Sequence, residues 1–216
     1  SHARLTYNTA HDRPWGWRVW TYLWTKSIAS GALLLGALLY LLVGDRGPLV
    51  TTAAPFINEL FLMLTAVLLV WDLKRPERFW FLLDPRKLNR RSWLAIGGIF
   101  LGLSAGVGGL WFLLGAGGLL GLTLPTWPMT LLAWVGVPAA VMTAGYTAFL
   151  FGQAEGRDLW QSPVLFWHLI AQAVMAGSGV LILIGVALQA DMQVLNWLTW
   201  ALLIGTAGHL LITAVE

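Results

Sequence analysis

Four ionisable side chains interrupt the long apolar runs of this chain: Lys26, Glu59, His168 and His209, with Tyr146, Gln172, Asn58 and Asn196 as uncharged companions. Charged groups at membrane depth are rare and usually functional, because each needs a partner, a proton or water. Counted at 1.5 Å per residue, Lys26 lies roughly 10 Å into its run from the end that carries most of the basic residues. Tyr146 and His168 lie at roughly 9 Å and His209 at roughly 8 Å from the same side. Four segments thus bring a hydrogen-bonding group to one level. His11 and Asp12 precede the first segment on that side, and Asp72 closes the second. Glu59 lies near mid-run, too deep to reach a surface.

Phenol, imidazole, ammonium and carboxyl groups in apolar surroundings suit a lipophilic molecule with two carbonyl or hydroxyl oxygens. A quinol is such a molecule. Its oxidation releases two protons and two electrons, so a site for it needs hydrogen-bond donors, bases and an electron acceptor. Glu59, Asp72 and His168 are the candidate bases. The chain has no cysteine, so a thiolate-held cluster that takes the electrons has to lie in a partner.

Plainer readings exist for each residue. A membrane histidine can bond a neighbouring carbonyl, Lys26 can snorkel to the interface, and Tyr146 can serve as a belt aromatic. Two other functions use the same groups. His168 and His209, at one depth on consecutive segments, could ligate a haem b from both sides. Glu59 and Lys26 could serve an ion- or proton-translocating transporter, although no inverted repeat or pair of broken helices is visible. A scaffold without any such site is a further reading.

The elements that must position these residues are membrane helices. Of 216 residues, 58% are hydrophobic and 11% charged, against about 25% charged in soluble domains. Runs of about 20 apolar residues, enough to cross a hydrocarbon core, recur six times: about Val19–Val43, Val50–Trp71, Trp93–Gly115, Met129–Gly152, Ser162–Leu188 and Val194–Val215. The chain therefore reads as all-α, a polytopic bundle of about six spans forming one membrane domain over residues 1–216. Helices are expected because no alternating barrel pattern appears and lipid-facing backbone must satisfy itself. Gly98, Gly102 and Gly106 share one face of the third span, a spacing that predicts close packing between helices. No cleavable signal peptide is apparent.

Charge sets the orientation. Seven of the 13 Lys and Arg residues lie between Asp72 and Arg91, and Arg4, Arg13, Arg18 and Arg157 share that side, whereas Arg46 stands alone on the other. The positive-inside rule then places both termini in the cytoplasm. These basic residues flank membrane segments, so lipid, not nucleic acid, is the partner they imply.

Three blocks of sequence extend the reading. They are "WGWRVWTYLWTKSIASG" at the first span, "DLKRPERFWFLL" after the second, and "YTAFLFGQAEGRDLWQSP" between the fourth and fifth. They resemble the polysulfide-reductase membrane-subunit (NrfD-like) family over roughly residues 15–163. Asp72, Leu73, Arg75, Pro76, Arg78, Phe79 and Trp80 match its D-L-G-R-P-x-R-F-W signature, with Lys74 in place of the usual glycine. Tyr146 precedes an Arg157-Asp158-Leu159-Trp160 element by the spacing the family shows. The resemblance implies a quinol-interacting anchor subunit of a respiratory oxidoreductase in a bacterial or archaeal cytoplasmic membrane. It implies no haem or cluster in this chain, and menaquinone or ubiquinone as the quinone.

Electrons would pass to a four-cluster ferredoxin-like iron–sulfur subunit and on to a molybdopterin catalytic subunit. Tyr146 matches the family's quinone-contacting tyrosine, and Asp72 with Arg75 would shape the pocket rim. Where other members place Asn and His at the start of the first helix, this chain has Val19 and Tyr22, so those contacts do not transfer. Tyr22, Lys26, His11 and Asp12 are the substitutes on offer. Members usually have eight or more helices, against six here. Several hold their partner outside the membrane on the side of their N-terminus, whereas the charge count puts that side in the cytoplasm.

Overall fold

The computed structural model describes residues 16–72, 92–123, 125–153 and 162–215. Six helices account for nearly all of these residues, and no strand occurs among them: α1 Trp17–Leu38, α2 Ala54–Asp72, α3 Trp93–Leu119, α4 Trp127–Gly152, α5 Leu165–Ala187 and α6 Met192–Val215. All six are long and apolar enough to cross a membrane, so the chain is a multi-pass membrane protein. The third helix runs a turn beyond its expected end at Gly115, to Leu119.

Helix α1 is the axis of the bundle. It packs against α2, α4 and α5, while α6 packs mainly on α5 and turns most of its surface outward. Backbone contact explains how α1 gets so close to α5. A Cβ on Gly31 would lie 2.0 Å from the carbonyl oxygen of Ala173, and one on Gly177 would lie 2.4 Å from the carbonyl carbon of Gly31. In lipid, where no hydrophobic force draws helices together, such close packing and hydrogen bonds between helices carry the association. Polar clasps accompany it. Asn58 Nδ2 donates to the Ala29 carbonyl at 3.1 Å, Thr65 Oγ1 to Thr25 Oγ1 at 2.8 Å, and Ser104 meets Thr143 at 2.7 Å.

The expected packing face of α3 is not the one that packs. A Cβ on Gly98, Gly102 or Gly106 would meet nothing within 4 Å. The contacts belong to the neighbouring register. There Gly97 admits the Tyr146 ring, Gly108 the side chains of Asn58 and Glu59, and Gly115 the backbone of Thr51. The small-residue spacing marks a helix that can be approached closely, but glycines fall in more than one register along α3 and only contact chooses among them.

Both ends of the α1–α2 connection are π-helical, at Leu39–Val43 and Leu49–Ala53, and Gly44 takes the left-handed conformation (φ 76°) between them. Arg46 folds back here. Its Nη1 donates to the Tyr40 carbonyl at 2.6 Å and its guanidinium lies 3.3 Å from the Tyr40 ring centroid. The Tyr40 ring meets Trp111 of α3 edge-on at 5.4 Å. The single cation of this membrane face is thus spent on a structural tie.

Candidate functional site

A buried polar cluster occupies the α1–α4 contact one to two turns below the basic face. Lys26 is completely buried. Its ammonium donates to the Ala144 carbonyl at 2.8 Å and to Thr147 Oγ1, both on α4. It also stands 4.8 Å from the Tyr146 ring centroid and 6.0 Å from that of Tyr22. Snorkelling therefore does not occur: Lys26 turns inward, to the one carbonyl and hydroxyl that α4 offers it. A buried cation costs several kcal/mol of lost hydration unless it is met by such donors' partners and aromatic faces.

Tyr146 is no belt aromatic either, being 1% exposed. Its ring fills the notch at Gly97, where a Cβ would lie 2.1 Å from Cε2. Tyr22, one turn before Lys26 on α1, completes the cluster. Its hydroxyl is buried and has no partner of hydrogen-bonding geometry, although Tyr146 and Thr147 lie beside it. Buried hydroxyls are rarely left in this state, and the same residue forms part of a cavity wall.

Space for a guest adjoins it. A cavity of about 370 Å³ opens among the basic-side ends of α1 to α4, lined by Arg18, Val19, Tyr22, Leu68, Leu69, Asp72, Leu94, Leu150, Phe151 and Gln153. Arg18 stands 4.8 Å from the Trp71 ring centroid at the same end of the bundle. The walls are apolar apart from a phenol, a guanidinium, a carboxyl and an amide. A groove of about 320 Å³ between α2 and α3 adjoins this cavity, with Leu69 and Leu94 lining both. Glu59 lies in the groove wall, together with Gly98 and Gly102.

The residues expected at one level do not form a single cluster. Lys26, Tyr146 and Tyr22 come together, and Asp72 joins Tyr22 in the cavity wall. His168 and His209 face each other instead, in edge-to-face contact with centroids 4.5 Å apart, and neither lines the cavity. Rings in contact leave no gap for a haem between them. Among the described residues no group of three or more His, Asp or Glu side chains is placed to hold a metal ion. His11, Asp12, Arg75 and the basic run up to Arg91 lie outside the described residues. Sequence reasoning missed Thr147, Phe151 and Gln153. Thr147 was within reach, since it follows Tyr146 and α4 must offer Lys26 an acceptor.

An all-helical bundle of six membrane-spanning helices with a tyrosine-bearing cavity at one face defines the class: multi-pass membrane proteins. The chain belongs to the polysulphide reductase NrfD family, whose model matches residues 6–216. Members of that family are membrane subunits of oxidoreductase complexes. No curated protein sequence matches the chain.

Proposed function

We propose that this chain binds quinol or quinone in the cavity between α1 and α4 and exchanges electrons with an iron–sulfur partner docked over the 73–91 connection. One observation carries the reading: Tyr22, whose buried hydroxyl has no partner of hydrogen-bonding geometry, stands in the wall of a mostly hydrocarbon cavity that also carries Arg18, Asp72 and Gln153. A phenol offers an apolar ring for packing and one donor for a carbonyl oxygen, a match for an aromatic head with polar ends.

When bound, the quinol supplies two electrons and two protons. The chain's own residues hold the head and receive the protons. Tyr22 donates to one oxygen, while Val19, Leu68 and Phe151 pack on the ring and exclude water. Asp72, at the cavity wall and the membrane edge, accepts the two protons in turn and passes each to the aqueous side. Lys26 and Tyr146 do not line the cavity. They hold Tyr22 in place from beneath, through the Lys26 bonds to α4 and the Tyr146 ring seated on Gly97. The α2–α3 groove leads an isoprenoid tail away into the bilayer. Because the chain has no cysteine, the electrons leave to clusters in the partner, of the four-cluster ferredoxin type, and from there to a molybdopterin subunit. On this reading the protein sits in a bacterial or archaeal cytoplasmic membrane with its basic side, and both termini, in the cytoplasm.

The test is Tyr22→Phe in the assembled complex. Losing one buried hydrogen bond costs about 0.5–1.5 kcal/mol, so half-saturation for a quinol analogue should rise several-fold while assembly is unchanged. Unchanged half-saturation and rate would remove Tyr22 from the site.

A further inference from the structure

Glu59 lines the α2–α3 groove, and behind it lies a pair of oxygens that the quinol head site does not use. Asn58, fully buried, gives its amide Nδ2 to the Ala29 carbonyl, which turns its Oδ1 toward α3. The next residue, Glu59, reaches the same place. A Cβ on Gly108 would lie 2.2 Å from Asn58 Oδ1 and 2.5 Å from Glu59 Oε1. Both oxygens are buried and neither has a hydrogen-bond partner. Two acceptors that converge without a donor are mutually repulsive, and a proton on the carboxyl resolves the conflict by giving one of them a hydrogen to donate.

The surroundings favour the same state. Glu59 lies roughly 15 Å from the start of its span at Leu49, near mid-membrane. The groove about it is lined by Leu62, Met63, Leu101 and the open faces of Gly98 and Gly102. Among the described residues nothing else ionic lies in that wall, and a lone carboxylate among hydrocarbon neutralises itself by taking up a proton.

We propose that Glu59 is a bilayer-facing proton-exchange site, a carboxylic acid backed by the Asn58 carbonyl and reached through the α2–α3 groove by apolar molecules that carry a hydrogen-bonding head. Exchange is a plain proton transfer. The O–H proton passes to an oxygen or nitrogen of the guest, and the carboxylate left facing Asn58 Oδ1 recovers a proton from the next donor. The groove walls admit hydrocarbon and turn away ions, so the site exchanges with the membrane phase, not with bulk water.

A hydrophobic carbodiimide is a guest of this class. Dicyclohexylcarbodiimide takes the carboxyl proton on one nitrogen and the carboxylate oxygen on its central carbon, then rearranges to a stable N-acylurea with no group lost. Applied to the full-length protein in membrane vesicles, it should label Glu59, as read by peptide mass. A charged, water-soluble carbodiimide should leave Glu59 unlabelled. Glu59→Gln should lose the adduct. Gly102→Leu should cut labelling several-fold, because its side chain enters empty groove and disturbs no contact; this variant carries the test if the Glu59 change impairs insertion. No adduct at Glu59, equal labelling by the soluble reagent, or full labelling in Gly102→Leu would each overturn the proposal. The readout needs no electron transfer, so a failure here leaves the quinol site standing, and a failure there leaves this one.

Discussion

The ammonium of Lys26 on α1 stands 4.8 Å from the ring centroid of Tyr146 on α4, and both side chains are shut off from solvent. The two residues are separated by two helices in sequence, α2 and α3, and meet in space. Tyr22, whose ring centroid lies 6.0 Å from the same ammonium, lines the neighbouring cavity.

Lys26→Met follows from it. The substitution keeps the length and volume of the stem and removes the charge along with its two hydrogen bonds. Replacing a buried charge by an apolar group of similar shape is often neutral for stability, so insertion and assembly should persist. Quinol oxidation should fall by about tenfold, since a loss of roughly 1.4 kcal/mol in positioning Tyr22 is worth that factor. Comparing assembled yield with turnover separates the two; a variant that assembles and turns over at the wild-type rate would make Lys26 structural only.

Tyr146→Phe tests the same contact from the other side. The ring still fills the notch at Gly97, so assembly should be kept. Removing the hydroxyl should slow quinol oxidation several-fold, consistent with about 0.5–1.5 kcal/mol for a buried hydrogen-bonding group. The effect should be smaller than that of Tyr22→Phe, because Tyr146 does not line the cavity. A larger effect from Tyr146→Phe would place the head against Tyr146 instead.

How far the sequence foretold this can be judged residue by residue. The six spans were legible because hydrocarbon thickness imposes a length that apolar runs must meet. The depths of Lys26 and Tyr146 were legible too, since helical rise converts residue number into height. Azimuth was not. Depth alone grouped His168 and His209 with the Lys26 cluster, whereas they pair across α5 and α6. The same limit applies to α3. Gly98, Gly102 and Gly106 form a proper small-residue stripe, but Gly98 and Gly102 face the groove, Gly106 meets nothing, and Gly97 and Gly108 make the contacts. Rotation about a helix axis is decided by all of a helix's neighbours at once, and the apolar composition of these helices gives little to read it from.

Helix packing supplies a stability test. Gly31→Ala places a methyl 2.0 Å from the Ala173 carbonyl oxygen, a backbone atom that cannot yield without separating α1 from α5. Overpacking of this kind costs about 1–3 kcal/mol, and α1 is the bundle's axis. Gly106→Ala meets nothing within 4 Å and should stay within about 0.5 kcal/mol of wild type. Thermal denaturation midpoints in detergent should drop for the first and hold for the second; equal midpoints would contradict the α1–α5 contact.

The basic connection predicts a docking phenotype. Changing Arg86, Lys87, Arg90 and Arg91 to Glu should release an acidic iron–sulfur partner while the helices still insert, because like charges across an interface cost several kcal/mol. Co-purification of the subunits measures it. A complete complex from this variant would leave the run as a topology signal alone.

The central claim is where the quinol head sits. Photolysis of an azido-quinone bound to the assembled complex, followed by peptide mapping, reads that position directly. The account predicts adducts on the start of α1, around Val19 and Tyr22, and on the end of α4, around Phe151, suppressed by excess unlabelled quinone. Adducts confined to α5 and α6, beside His168 and His209, or adducts that excess quinone does not suppress, would contradict it.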